Sequence, residues 1–124
     1  MSKVYALNRS HLATFRKALT EASQRLGGTD YEVFYELATL ETSFAQIATN
    51  SNFMVATATL ANRWPDREPT VANLTRCARH EAIHLFLAPI EDAARRRYIT
   101  PYELEQLSET FVHRLEHVLG WNQP

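Results

Sequence analysis

The chain has 124 residues, 45% of them hydrophobic and 22% charged, with a formal net charge of −1. That length is enough for a single domain spanning residues 1–124, with a core that needs neither disulfides nor a structural metal. A near-neutral balance excludes the basic footprint of a nucleic-acid or anionic-membrane binder, and the one basic run, Arg95-Arg96-Arg97, suits a helix C-terminus.

The first element is "NRSHLATFRKALTEASQRLGG", an amphipathic helix. Asn8 or Ser10 can cap its start, Leu12, Phe15, Leu19, Ala22 and Leu26 recur at helical spacing, and Gly27-Gly28 supplies a left-handed stop. From residue 31 the period changes to two: in "YEVFYEL", Tyr31, Val33, Tyr35 and Leu37 alternate with Glu32, Phe34 and Glu36, which predicts a strand. "SFAQIAT" and "FMVATATLA" follow, separated by Asn50-Ser51-Asn52, and read as a β-hairpin appended to that strand. Alanine and threonine on both faces of the last strand suit either an open edge or a plain half-buried strand.

"WPDREP" is a turn, and a helix begins near Thr70, with Pro89 disturbing or ending its regular part. The final helix starts at Thr100-Pro101-Tyr102-Glu103, where threonine caps, proline fits the first turn and glutamate completes a capping box. It runs to Leu119, with Gly120 as its stop. Helix, two or three antiparallel strands, then two helices make an α+β domain.

A lone Cys77 rules out an intramolecular disulfide framework and fits a reducing compartment. The N-terminus lacks a secretory pattern, and no apolar run approaches the roughly 18 residues of a membrane span. The expected location is cytoplasmic, with no membrane or nucleic-acid partner.

Chemistry concentrates in "CARHEAIHLFLAP", where His80 and His84 stand four residues apart with Glu81 after the first. On a helix, positions i and i+4 project from one face, so both imidazoles can reach one metal ion. Glu81, offset by about 100°, cannot easily ligate that ion but can take a proton from a water beside it. Any five residues can match such a pattern by chance on a solvated face. Here Val71, Leu74, Cys77, Ala78, Leu85 and Ala88 form an apolar stripe that contains Glu81 and has His84 at its edge, while Arg76 and Arg79 point away. Polar groups placed there cost several kcal/mol without partners, and a metal with a bound water supplies them.

With this element order, His80-Glu81-xx-His84 resembles the zincin metallopeptidases, and the short "HEAIHLFLAP" with "EQLSETFVHRLEHVL" is similar to small zincin-like proteins of phages and prophages. The resemblance covers about residues 70–119 and is architectural over 1–69. It implies a zincin-like α+β fold: an N-terminal helix, a small antiparallel sheet of about three strands, an active-site helix and a C-terminal helix. It also implies Zn2+ as cofactor and three protein ligands with one open position. The metzincin extension is missing, because Leu87 and Ile90 stand where it needs glycine and histidine. The gluzincin branch takes a glutamate from the next helix, with Glu103, Glu105 and Glu109 as candidates. Glu103 is engaged by the cap. Glu105 and Glu109 both flank the expected core stripe of Leu104, Leu107, Phe111, Leu115, Val118 and Leu119, and resemblance favours Glu109, followed by Val112 and Leu115. Cys77, one turn before His80, is a less fitting ligand, since a buried lone cysteine is usually a small core residue.

The reversed pattern His113-Arg114-Leu115-Glu116-His117 offers a second pair, but His113 and His117 fall nearly opposite the core stripe and should face water. The resemblance thus implies a zinc-dependent peptidase with metal ligands His80, His84 and Glu109, Glu81 as general base, and an extended peptide or protein substrate paired near residues 53–60. Tyr98, Tyr102 and Arg95 are candidate oxyanion donors with nothing to choose among them. The alternative is a catalytically silent zincin-fold module that binds zinc or a protein partner.

Overall fold

The computed structural model describes residues 3–50, 52–95 and 100–121, apart from the side chains of Ala93, Leu107 and Arg114. The order is β1 (Val4–Ala6), α1 (Arg9–Arg25), β2 (Glu32–Ala38), β3 (Ala45–Asn50), β4 (Val55–Ala61), β5 (Arg63–Pro65), α2 (Val71–Arg95) and α3 (Pro101–Val118). The chain is a mixed α+β fold with one three-stranded and one two-stranded sheet among the described residues.

Helix α1 starts where its sequence allows. The Asn8 side chain accepts from the backbone N–H of Ser10 and His11, and the His11 ring returns a bond to the Asn8 N–H at 3.0 Å, closing a capping box. Phe15, Ala18, Leu19 and Ala22 are buried from it. Gly27 and Gly28 follow its end at φ of 100° and 83°, a region that favours glycine.

The β3–β4 hairpin forms as the sequence predicts, although Ser51 in its turn lies outside the described residues. Its attachment differs from the expected antiparallel sheet. Strand β4 enters between its neighbours in the order β2-β4-β3, pairing parallel with β2 and antiparallel with β3. Side-chain matching explains the register: Val33, Tyr35 and Leu37 lie opposite Ala56, Ala58 and Leu60, so one apolar face is continuous across the strands. Alanine and threonine on both faces of β4 therefore mark a central strand; Thr59 and Ala61 on the far face are buried as well. The expectation that residues 53–60 offer an open edge is overturned, because β4 is hydrogen-bonded on both sides. Among the described residues the edges of this sheet are β2 and β3.

Two short strands escaped the sequence pattern. β1 and β5 pair antiparallel, with Tyr5 opposite Trp64. Three-residue strands are too short to show a period. Trp64 is fully buried, packs edge-on against Phe44 at 4.9 Å between ring centroids, and donates from Nε1 to the Phe44 carbonyl at 3.1 Å. That contact fixes the entry to β3.

Thr70 immediately precedes helix α2, and its Oγ1 accepts from the Asn73 N–H at 3.1 Å. It does not stop at Pro89 but continues to Arg95. Proline removes one helical hydrogen bond, yet Leu85 and Ala88 before it are buried, and Asp92 beyond it accepts from the Tyr31 hydroxyl at 3.1 Å. Leu74, Ala78, Ala82, Ile83 and Leu85 carry its core face, whereas Val71, expected in that stripe, is exposed. In α3, Thr100 caps as predicted through the Glu103 N–H at 3.1 Å. Its inward face is Leu104, Ser108, Val112 and Glu116, while Phe111 and Val118, expected inside, are exposed. No helix of the described residues is long and apolar enough to cross a membrane.

Replacing Trp64 with alanine should cost about 3–5 kcal/mol, read as a lowered urea midpoint with little change in slope.

Candidate metal centre

Helices α2 and α3 run antiparallel, which follows from three contacts along them: His80 with Glu116, His84 with Glu109, and Glu91 with Ser108. This return path brings Glu109 to the histidine pair. His84 Nε2 lies 2.7 Å from Glu109 Oε1, and His80 Nε2 lies 3.7 Å from the same oxygen. The ligand atoms of His80, His84 and Glu109 all fall within 4.8 Å of one another. Donors around a tetrahedral zinc with bonds near 2.05 Å stand about 3.4 Å apart, so small side-chain adjustments would suffice to enclose one ion.

The far side of each imidazole supports the same fit. His80 Nδ1 is 3.3 Å from Glu116 Oε1. His84 Nδ1 faces Glu91 Oε1 at 3.7 Å and Ser108 Oγ at 3.4 Å, and the Ser108 hydroxyl donates to Glu91. A carboxylate behind each ring holds its orientation and turns Nε2 of both toward Glu109, the arrangement that metal-bound histidines use. Two imidazoles and a carboxylate with backed rings form a donor set that fits a divalent transition ion.

Glu81 is buried at 6% exposure and points from α2 toward β3. In the antiparallel β3–β4 ladder the Phe44 carbonyl accepts from the Ala61 N–H at 2.9 Å. By alternation, Gln46 and Ala48 turn their backbone to β4, while Ala45, Ile47 and Thr49 turn theirs outward. The outward Ile47 N–H faces the Glu81 carboxylate and favours its charged form. Burial, opposed by His84 and reinforced by Glu109, pushes the Glu81 carboxyl up to about 7. At His84, burial pulls down, but Glu91, Glu81 and Glu109 outweigh it and raise the imidazole to about 9. At Glu91, burial pulls up, but His84, Ser108 and Arg95 outweigh it and hold the carboxyl below its ordinary value.

These groups line an open cleft of about 780 Å3 between α2, α3 and the outward edge of β3, residues Ala45–Thr49. Of the other glutamate candidates, Glu105 lines the cleft one turn from Glu109 but outside the three-residue cluster, and Glu103 stays at the exposed start of α3. Cys77 lines the cleft without joining the cluster, and burial pushes its thiol up to about 11. Arg95 also lines the cleft, 3.6 Å from Asp92. Tyr102 is 71% exposed and not part of the lining, while Tyr98 lies outside the described residues.

The reversed motif divides. His113 is exposed as predicted, yet its ring reaches the rim of the site, 6.0 Å from the His80 ring and 3.6 Å from Glu109 Oε2. Glu116 of the same motif turns inward and is buried. Sequence reasoning missed Glu116, Glu91 and Ser108. The available signal was spacing: Glu109 and Glu116 stand seven apart on one helix face, as do His84 and Glu91. Comparison with family models, with curated proteins and with solved structures finds no match.

Two consequences are measurable. The Cys77 thiol, raised from 9.0 to about 11, should react with a disulfide reagent at pH 8 roughly a hundredfold more slowly in the folded than in the urea-unfolded chain. In metal-free protein, a Glu81 carboxyl raised from 4.5 to about 7 binds its proton more tightly when folded, so stability is lost as pH rises through that window. Glu81→Gln should therefore melt higher than wild type in chelator at pH 8, by up to about 3 kcal/mol. The advantage should shrink toward pH 4.5.

Proposed function

We propose that the chain is a zincin-like, gluzincin-type zinc peptidase that hydrolyses peptide bonds with His80, His84 and Glu109 as metal ligands and Glu81 as general base. The observation that carries this reading is the convergence of His80, His84 and Glu109 within 4.8 Å, beside a buried Glu81 and a free strand edge. A zinc ion bound by these three side chains supplies Lewis acidity and lowers the pKa of a water toward about 7.

The chain's own residues do the rest. Glu81 accepts a proton from the attacking water as its oxygen bonds to the carbonyl carbon, then delivers that proton to the amine nitrogen as the C–N bond breaks. Glu116 and the Glu91–Ser108 pair hold His80 and His84 in place. The outward backbone groups of Ala45 and Thr49, with the Ile47 carbonyl, offer an extended peptide the hydrogen bonds of an added strand, which moves the docking edge from residues 53–60 to β3.

Untagged protein should carry about one zinc per chain by elemental analysis. Glu109→Gln and His84→Ala should lose that zinc. Glu81→Gln should keep it while turnover of a peptide library falls by about 100- to 10,000-fold. Full activity in Glu81→Gln sinks the mechanism. Bound zinc with a chelator-sensitive melting temperature and no turnover of any peptide by wild type would instead establish a catalytically silent zinc-binding module.

A further inference from the structure

The cleft is electrically polarised along β3. At the Phe44 end stands Arg67, whose guanidinium lies 4.9 Å over the Phe44 ring and lines the cleft. Phe44 is itself locked by Trp64, so the cation rests on a fixed platform. Among the described residues no carboxylate lies within ion-pair distance of Arg67. The N-terminus of α2 begins four residues later and adds positive potential at the same end. At the opposite end Glu91, Glu105 and Arg95 line the cleft, and Arg95 is paired with Glu91 and Asp92, so the charge of the described residues there is net negative. Because α3 runs antiparallel to α2, Glu105 lies one turn beyond Glu109 on the side of Glu91, away from Arg67.

The strand fixes a direction through this field. Glu81 meets β3 at Ile47, and Arg67 meets the chain at Phe44, three residues away. Three residues of extended chain span about 10 Å. β3 runs from the Arg67 end toward the acidic end, so a peptide paired antiparallel to it runs from the acidic end toward Arg67. Its C-terminal side then meets the unpaired cation and its N-terminal side meets Glu105. Antiparallel pairing, the more stable ladder, and the charge gradient thus agree on one orientation.

Resting on the peptidase reading above, we infer that the substrate is a peptide carrying a carboxylate about three residues to the C-terminal side of the cleaved bond, and that Arg67 receives it. Two sources share that chemistry: an aspartate or glutamate side chain, and the free C-terminus of a short peptide.

Zinc-loaded Glu81→Gln protein, which holds substrate without cutting it, gives the test by fluorescence anisotropy. Four labelled peptides of one backbone are compared: neutral and C-terminally amidated; the same with aspartate three residues beyond the central bond; the same with lysine there; and one ending in a free carboxylate at that position. The aspartate peptide, the free-acid peptide or both should bind about fivefold tighter than the neutral one at low salt. Which of the two gains identifies the source of the carboxylate. Adding Arg67→Ala should erase the difference, and Arg67→Glu should turn the preference to the lysine peptide. Equal binding of all peptides, a preference unchanged in Arg67→Ala, or no binding overturns the inference. Selective binding with no turnover by zinc-loaded wild type would overturn the peptidase reading and leave the carboxylate site standing. Turnover without selectivity would do the reverse.

Discussion

The site depends on a debt of solvation that α2 cannot settle alone. It places Glu81 in its core face with Ala78, Ala82 and Leu85, and sets His80 and His84 at the margin of that face. Buried polar groups without partners cost several kcal/mol each. Every partner comes from another element or a later turn: Ile47 from the strand edge for Glu81, Glu116 and Glu109 from α3 for the imidazoles, and Glu91 two turns on. The antiparallel packing of α2 on α3, and of α2 beside β3, is therefore the arrangement in which the motif can be buried at all.

That constraint explains why α3 departs from its apolar pattern. Judged by hydrophobicity, Phe111 and Val118 belong inside. Instead the helix turns Ser108, Val112 and Glu116 inward and leaves Phe111 at 44% and Val118 at 77% exposure. Transfer free energy for two apolar side chains, about 1.5–3 kcal/mol each, is outweighed where the alternative is imidazoles and a carboxylate left without partners. A stripe drawn from apolar residues alone lands about one position away from the face used.

How much could be read in advance follows the same logic. Caps at Asn8 and Thr100, the glycine stop at Gly27 and the helical spacing of Phe15, Leu19 and Ala22 are local effects, and they were legible. So was the placing of His80 and His84 on one face of a helix; helical angles left Glu105 and Glu109 both open as the third member of the cluster, and only resemblance to the zincin pattern favoured Glu109. Strand order was not legible: parallel pairing of β2 with β4 depends on matching Val33, Tyr35 and Leu37 to Ala56, Ala58 and Leu60 across a distance no local period reveals. The supporting carboxylates were hidden because charged residues on a helix ordinarily face water, and only the partner helix shows that Glu116 does not.

The strand edge and the buried carboxylate complete each other. An edge strand left open invites uncontrolled pairing, and proteins usually cover or charge it. Here β3 presents Ala45, Ile47 and Thr49 to a cleft, and the outward Ile47 N–H faces the buried Glu81 carboxylate, so a buried acceptor and an outward backbone donor meet at one point. Neither group could be buried so economically with a different neighbour: a side-chain donor on β3 would project to a face of the sheet, whereas the backbone N–H of an edge strand points along the sheet plane toward α2. The central placement of β4 is what makes β3 the edge, so the parallel pairing that the sequence concealed is also what brings the strand's backbone to Glu81.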